Sequence, residues 1–142
     1  MSDEVRNLLS RYYREVWEAG NVEALDDLLG DDYVDHDPSP GFGSGKEAAK
    51  QLAAAVTSSM KDGRLTIRNV IVEGDRAAAH WTHTWTQAGD FLGKVPADGK
   101  QILLRGHDFF VLRDGRIAEI WHCEDFFGVL GQLGVLPGSG PG

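Results

Sequence analysis

The chain has 142 residues, of which 42% are hydrophobic and 25% are charged, as is ordinary for one globular domain with a core of its own. Its formal net charge of −8 argues against nucleic acid and anionic membranes as partners, because phosphate groups are bound by Lys and Arg. The single cysteine, Cys123, excludes an internal disulfide and is typical of a reducing compartment.

The ends of the chain carry no export or membrane signal that we recognise. The opening residues, MSDEVRNLL, lack a basic stretch followed by an apolar run, and no apolar run approaches the roughly 20 residues of a membrane-spanning helix. We therefore expect a cytoplasmic protein. Residues 1–136 are predicted to form one domain, and residues 137–142 a disordered tail.

The first thirty residues are predicted to be helical. Apolar residues recur at helical spacing between residues 3 and 19, and Gly20 is suited to end that helix. A second, short helix is predicted from Val22 to Leu29, with Gly30 as its stop.

A polar segment and a third helix follow. Residues 31–40 contain two prolines that forbid a helix, so this segment is expected to be extended. Ser44 and Glu47 have the spacing of a capping box, which predicts a third helix running to about Met60.

The second half of the chain is predicted to be mostly strand. Four runs rich in β-branched, aliphatic and aromatic residues are separated by turn or loop residues, and a short amphipathic helix follows residue 125. The predicted strands are Arg64–Glu73, Arg76–Gln87, Gln101–Leu112 and Arg116–Cys123. Three helices, a run of antiparallel strands and a last helix indicate an α+β fold, with helices covering one face of a curved sheet.

The last two strands form a predicted hairpin that brings two ionisable residues together. The short turn Arg113-Asp114-Gly115 fixes the register, so that Asp108 lies roughly opposite residues 120–122. Asp108 and His122 are therefore expected to lie close together on one face. A carboxylate beside an imidazole is a common acid–base pair in catalysis.

Several segments, taken in order, carry a family resemblance. They are residues 32–38 (DYVDHDP), Trp81-Thr82 with residues 89–93 (GDFLG), Pro96 with Gly99-Lys100, residues 114–121 (DGRIAEIW), and residues 125–126 with 128–130 and 132–134. Their order and spacing resemble the SnoaL-like polyketide cyclases of the NTF2-like superfamily. The resemblance implies a cone-shaped, strongly bent antiparallel sheet that encloses a pocket with the N-terminal helices. It also implies a homodimer formed through the outer face of the sheet.

The resemblance implies a chemistry as well. The named enzymes of the family close a ring of an aromatic polyketide by an intramolecular aldol reaction, without metal or cofactor, using a carboxylate on the last strand. Counted back from residues 125–128, that carboxylate position falls on His122, and the family's histidine partner falls on Asp108. The pair is exchanged here, so the aldol chemistry cannot be carried over intact.

His122 is the predicted general base and then acid, because an imidazole titrates near neutral pH. Asp108 is predicted to orient it and to stabilise the imidazolium. The simpler interpretations are a core or surface histidine and a carboxylate in solvent at the strand edge.

The strand Arg76–Gln87 supplies further candidates. His80 and His83 are three residues apart, so they point to opposite faces, which counts against a shared metal site. His83 shares a face with Trp81 and Trp85, and the equivalent face in the family points into the pocket. The two tryptophans would form an aromatic wall for a flat substrate, or simply pack in the core.

The remaining candidates are predicted to bind substrate. By the resemblance, Tyr33, Asp35 and His36 lie at the pocket mouth, and Tyr33, His36 or His83 would bind the oxygen that gains charge. Further predicted contacts are Trp17, Phe91, Phe110 and Asp125. Core packing is the simpler account of Trp17, and helix capping that of Asp125.

The sequence thus predicts a cofactor-free and metal-free acid–base enzyme. It would abstract a proton α to a carbonyl in an apolar cyclic or polyketide-like small molecule, leading to cyclisation, isomerisation or dehydration. One alternative is hydrolysis, of an epoxide for example, with Asp35 as a third polar residue that holds water. The other is a non-catalytic, small-molecule-binding dimer module, since fold alone does not define function.

Overall fold

A curved sheet with helices on one face makes up the computed structural model of the chain, which describes residues 2–90 and 99–136. Within these residues the strands are β1 Leu29–Asp35, β2 Met60–Glu73, β3 Arg76–Gln87, β4 Gln101–Arg113 and β5 Arg116–Glu124. Their order is β1-β5-β4-β3-β2, with β1 parallel to β5 and the other neighbours antiparallel. The predicted α+β layout is confirmed.

The helices are short, and most lie before the long strands. They are α1 Ser2–Arg11, continued by a π-helix Tyr12–Glu18, a 3-10 turn Val22–Ala24, α2 Leu25–Leu28, α3 Lys46–Thr57 and α4 Phe126–Gln132. Within the described residues, no helix combines the length and the apolar character that crossing a membrane requires.

The first helix continues as a π-helix with hydrogen bonds that span five residues. The amide of Ala19 donates to the carbonyl of Arg14, five residues back, at 2.9 Å. The buried residues of this π-helix are Tyr12, Tyr13 and Val16. The sequence predicted the extent of this helix but treated it as a regular α-helix, in which neighbouring residues point about 100° apart. π-Helical turns are often found at functional sites.

Two predicted boundaries were wrong for local reasons. Gly30 does not end a helix but lies in β1, where alternate side chains such as Tyr33 and Asp35 are buried. Ser44 does not cap α3, because Gly45 takes the cap position without any side-chain cap bond. The Ser44 carbonyl instead accepts from the Asp35 amide at 2.7 Å, which ties the loop to β1.

The predicted β4–β5 hairpin is confirmed, with Asp108 directly opposite His122. Asp114 and Gly115 have positive φ angles of 54° and 73°, as a tight hairpin turn with the twist of the flanking strands requires. Side chains on β4 then alternate, so that Asp108 is buried on the inner face and His107 is exposed on the outer face.

The outer face of the sheet carries a row of apolar residues in register across four strands. Ile71 pairs with Ala78, Ala78 with Phe109, and Phe109 with Trp121. Ile71 and Phe109 are 69% and 40% exposed. We call these four residues the outer row. Phe91 and the predicted tail, residues 137–142, lie outside the described residues.

Candidate active site

A cavity lies between the inner face of the sheet and the helices. Its volume, taken as the space that the centres of water molecules can occupy, is about 80 Å³. This is enough for several waters. Most of its wall is apolar and aromatic, including Tyr12, Trp17, Leu65, Trp81 and Leu104. The ionisable side chains that line it are Tyr13, Tyr33, Asp35, His83, Asp108, His122 and Glu124, together with Tyr12.

Asp108 lies on β4 at the inner face of the sheet and is 6% exposed. Its Oδ2 accepts two hydrogen bonds, from the hydroxyl of Tyr13 at 2.5 Å and from Nε1 of Trp81 at 2.8 Å. Burial raises the pKa of Asp108 to about 7, although these two hydrogen bonds act in the opposite direction. A carboxyl group in this state can exchange a proton near neutral pH.

Gly106 makes room for the indole that binds Asp108. Gly106 pairs with Trp81 across the β3–β4 ladder, and a Cβ at this position would overlap the Trp81 ring. The ring therefore lies over the backbone of β4, and its Nε1 reaches the carboxylate two residues further along. Glycine in a strand often marks such a close approach.

His122 is held between two carboxylates. Its Nε2 lies 2.9 Å from Asp35 Oδ2 and its Nδ1 lies 2.7 Å from Glu124 Oε1. The side chains are largely buried, with 10% of His122, 11% of Asp35 and 18% of Glu124 exposed. Burial lowers the pKa of His122, but the hydrogen bonds and charges of Asp35 and Glu124 outweigh it and raise that pKa to about 10.

The parallel β1–β5 pair places Asp35 beside the imidazole. Asp35 Oδ1 also accepts from the amide of Asp37 at 2.8 Å, and Asp37 Oδ2 accepts from the amide of His122 at 3.0 Å. Both carboxylates of this segment are thus used to fix β1 against β5. Because each ring nitrogen of His122 already has a carboxylate partner, the imidazolium is a fixed positive charge.

The predicted contact between Asp108 and His122 needs correction. The two residues are opposite in register and both line the cavity, as expected. However, the hydrogen bonds of Asp108 go to Tyr13 and Trp81, whereas those of the His122 ring go to Asp35 and Glu124. Asp108 therefore does not orient the imidazole, and two separate clusters take the place of one pair.

Tyr33 lines the cavity as predicted and is 6% exposed. Burial, followed by the nearby charges of Asp35 and Asp108, raises the pKa of its phenol, so the hydroxyl stays protonated. Trp17 and Trp81 also line the cavity. These residues agree with the predicted positions of substrate contacts.

His83 faces the cavity from β3 and is 3% exposed. Its Nε2 has no hydrogen-bond partner among the described residues. Burial lowers the pKa of His83 to about 4, with a smaller opposing effect from Glu18. The ring is therefore neutral at physiological pH.

His36 does not lie at the cavity, where the resemblance predicted it. Its Nε2 lies 2.8 Å from Glu119 Oε1, and its ring stacks on Trp121 at a centroid distance of 4.2 Å. The residue follows β1, where alternation turns its side chain away from the buried Asp35.

Three other predicted contacts serve the scaffold. Trp85 is fully buried beyond the cavity, with Nε1 donating to Gln87 at 3.0 Å. Phe110 is also fully buried and packs edge-on against Tyr12, with the ring centroids 5.7 Å apart. Asp125 caps α4 by accepting from the amide of Gly128 at 2.9 Å, which was the simpler interpretation of this residue.

Three residues of the site were missed in the sequence. Glu124 follows His122 by two residues, so on a strand both side chains point to the same face. Extending the predicted strand Arg116–Cys123 by one residue would have included it. Gly106 stands out as a lone glycine inside an apolar strand. Tyr13 is four residues after Leu9 and three before Val16, so regular helical spacing also allows it an inward position beside Tyr12. In the described part of the chain, no cluster of three or more His, Cys, Asp or Glu side chains is arranged to hold a metal ion.

Comparisons with known proteins agree with the resemblance seen in the sequence. The family model of SnoaL-like polyketide cyclase matches residues 7–133. TsrD from Streptomyces laurentii is 30% identical with a TM-score of 0.84, and the match covers 94% of this chain and 97% of that one. A proposed polyketide cyclase from Bacillus cereus is 26% identical with a TM-score of 0.79, covering 94% and 82%.

A more distant structure, from Catenulispora acidiphila, has a ketosteroid isomerase-like fold. It is 18% identical with a TM-score of 0.71, covering 91% of this chain and 93% of that one, and so shares the fold alone. The comparison with curated proteins found no match.

Proposed function

The chain belongs to the SnoaL-like polyketide cyclase family, and from this premise we propose that it is an acid–base enzyme acting on an apolar cyclic or polyketide-like carbonyl compound. The first step is abstraction of a proton α to the carbonyl. The C–H bond breaks, the proton goes to a carboxylate of the enzyme, and the electron pair moves onto the carbonyl oxygen to give an enolate. Cyclisation, isomerisation or dehydration can follow from that enolate.

The observation that carries this proposal is the carboxyl group of Asp108 in an apolar cavity. Its two hydrogen-bond partners, Tyr13 and Trp81, are neutral donors rather than cations. Both bonds go to Oδ2, which leaves Oδ1 for a substrate. A buried carboxylate without a bonded cation lowers the stability of the fold. Such groups are concentrated at active sites.

Asp108 therefore takes the role that the sequence had given to His122. We propose that Asp108 accepts the α-proton and returns it to another carbon or to a leaving hydroxyl. His122 is a poor base, because both ring nitrogens are bound to carboxylates. It contributes a fixed positive charge near the developing enolate. Tyr33 lines the cavity and keeps its hydroxyl protonated, so it can donate to the enolate oxygen.

Neither alternative has comparable support. Hydrolysis would use Asp35 to hold a water molecule, but the carboxylate of Asp35 is bound to the His122 ring and to the amide of Asp37. A simple binding module would need no ionisable groups in its cavity, whereas Asp108, His122 and Glu124 all line this one.

The proposal can be tested without knowing the natural substrate. Deuterium incorporation α to the carbonyl is followed by NMR in D₂O for simple cyclic ketones, such as 1-tetralone and 1-indanone. The wild type should accelerate exchange of at least one ketone, and Asp108→Asn should reduce that acceleration by about 10²-fold or more. Asp125→Asn is the matched control, since this carboxylate caps α4 and does not line the cavity. Equal rates for wild type and Asp108→Asn, or no exchange above buffer, would contradict the proposal.

We also propose a homodimer formed through the outer row. Ile71, Ala78, Phe109 and Trp121 form a continuous apolar strip on the face opposite to the helices. A face that a two-fold axis brings against itself needs a self-complementary surface, and an apolar strip meets that requirement.

A further inference from the structure

His83 is a polar group that the proposed reaction leaves unused. Its side chain lines the cavity, it is 3% exposed, and its Nε2 has no partner among the described residues. A buried polar atom without a partner costs free energy, and such atoms in native structures call for a reason. A ligand that fills the cavity is one such reason.

The position of His83 is far from the reacting end of the cavity. His83 pairs with Leu104 on β4, and Asp108 pairs with Ala79 on β3. The two residues are thus four positions apart along the ladder, or roughly 13 Å at the rise of a strand. Trp81, two positions from each of these pairs along β3, lines the wall between them, while Leu65 and Leu104 flank His83 on the neighbouring strands.

The ring edge of His83 that carries Nε2 is buried against the backbone of β2. Gly63 lies against the ring edge, and a Cβ at this position would be 3.0 Å from Nε2. The register of β2 shifts between Lys61 and Arg64, so Gly63 lies in an irregular stretch of the strand. Any side chain at residue 63 would press on Nε2, whereas glycine leaves this buried atom without a side chain from residue 63 against it.

We propose that Nε2 of His83 hydrogen bonds a hydroxyl group of the substrate, at the end of the molecule opposite to the carbon that Asp108 deprotonates. A hydroxyl pairs with either tautomer of a neutral imidazole, because it both donates and accepts a hydrogen bond. The inference rests on the proposed function, and it adds that the substrate is an elongated, hydroxylated ring compound. His83 is then a specificity-determining residue, not the ligand of the enolate oxygen.

The test measures binding rather than turnover. Dissociation constants of 2-naphthol and of 2-fluoronaphthalene, a near isostere without a hydrogen to donate, are obtained by NMR titration of the histidine ring signals. The wild type should bind 2-naphthol roughly five-fold more tightly, the size of effect that one net hydrogen bond provides. His83→Leu should bind both compounds equally.

Gly63→Ala is the second variant, because it crowds Nε2 and leaves the imidazole in place. It should also lose the preference for 2-naphthol, and it keeps the test decisive if His83→Leu fails to fold. Asp108→Asn should keep the preference, so failure of the reaction proposal and failure of this one give different results. A wild type without preference, or a preference that survives both His83→Leu and Gly63→Ala, would overturn the inference.

Discussion

Asp108 and His122 are directly opposite on β4 and β5, but each belongs to its own hydrogen-bonded cluster. Asp108 is bound by the neutral donors Tyr13 and Trp81, and burial raises its pKa to about 7. His122 is bound by carboxylates that raise its pKa to about 10, against the effect of burial. The two groups therefore differ at neutral pH. Asp108 can gain or lose a proton, whereas His122 keeps one.

The difference in protonation between Asp108 and His122 predicts the pH dependence of the proposed reaction. A general base acts in its deprotonated form, so the rate of α-proton exchange should rise with pH through about 7, the pKa of Asp108. The measurement is kcat/KM for deuterium incorporation between pH 5 and 9. A rate that is constant across this range would mean that another group takes the proton.

The fixed charge of His122 should be important for stability. His122→Leu leaves Asp35 and Glu124 largely buried without their cation, which should lower the free energy of unfolding by about 3 kcal/mol at pH 6. The measurement is urea denaturation followed by circular dichroism. His36→Asn is the matched control, because the His36–Glu119 pair is about one third exposed and should contribute about 0.5 kcal/mol.

The His122 effect also has a predicted pH dependence. Its pKa is higher in the folded chain than its ordinary value of 6.5, so its stabilisation is complete below pH 6.5 and is lost as pH rises through about 10. The difference between wild type and His122→Leu should shrink over that interval. A difference that stays constant up to pH 10 would rule out an ionic role for His122.

Gly106→Ala should damage the site through Trp81. The added methyl group overlaps the indole, so the ring must move away from the backbone of β4. We expect a loss of about 2 kcal/mol in the free energy of unfolding from overpacking. Loss of the Trp81 hydrogen bond, which lowers the pKa of Asp108, should also move the midpoint of the pH–rate profile above 7. Gly45→Ala is a suitable control, since the space around Gly45 is open.

The proposed dimer depends on the outer row. Ile71→Asp puts a carboxylate on the most exposed apolar residue of that row and should shift the chain from dimer to monomer. Sedimentation velocity measures the shift. Phe127→Asp is the matched control, because Phe127 is 75% exposed but lies on α4, away from the outer row. A wild type that sediments as a monomer at all concentrations would refute the dimer.

The hairpin shows why much of the fold was predictable. Period-two alternation and a tight Asp-Gly turn define both the register and the buried face, and these are local signals. Asp108 and His122 were therefore placed correctly on adjacent inward positions. β1 was harder to predict, because it is short, polar and paired in parallel with a strand more than eighty residues later.

The partners of the two residues were not predictable from local patterns. Tyr13 lies on the π-helix and is 95 residues from Asp108 in the chain, so their hydrogen bond is a long-range contact that helical spacing does not specify. Asp35 reaches His122 through the parallel β1–β5 pair, which is a long-range contact. The sequence thus predicted that Asp108, His122 and His83 enter the cavity, but it missed Tyr13 and Glu124 and did not give the hydrogen-bond partners of Asp108 and His122.

The most direct test of the account is a carbon-13 NMR titration of the Asp108 side-chain carboxyl, assigned by its absence in Asp108→Asn. It needs neither a substrate nor a functional assay. We expect a titration midpoint near 7, because burial outweighs the two hydrogen bonds from Tyr13 and Trp81. A midpoint near 4, the ordinary range for Asp, would show a carboxylate that is fully ionised at neutral pH. That result would contradict the role of Asp108 as the proton carrier.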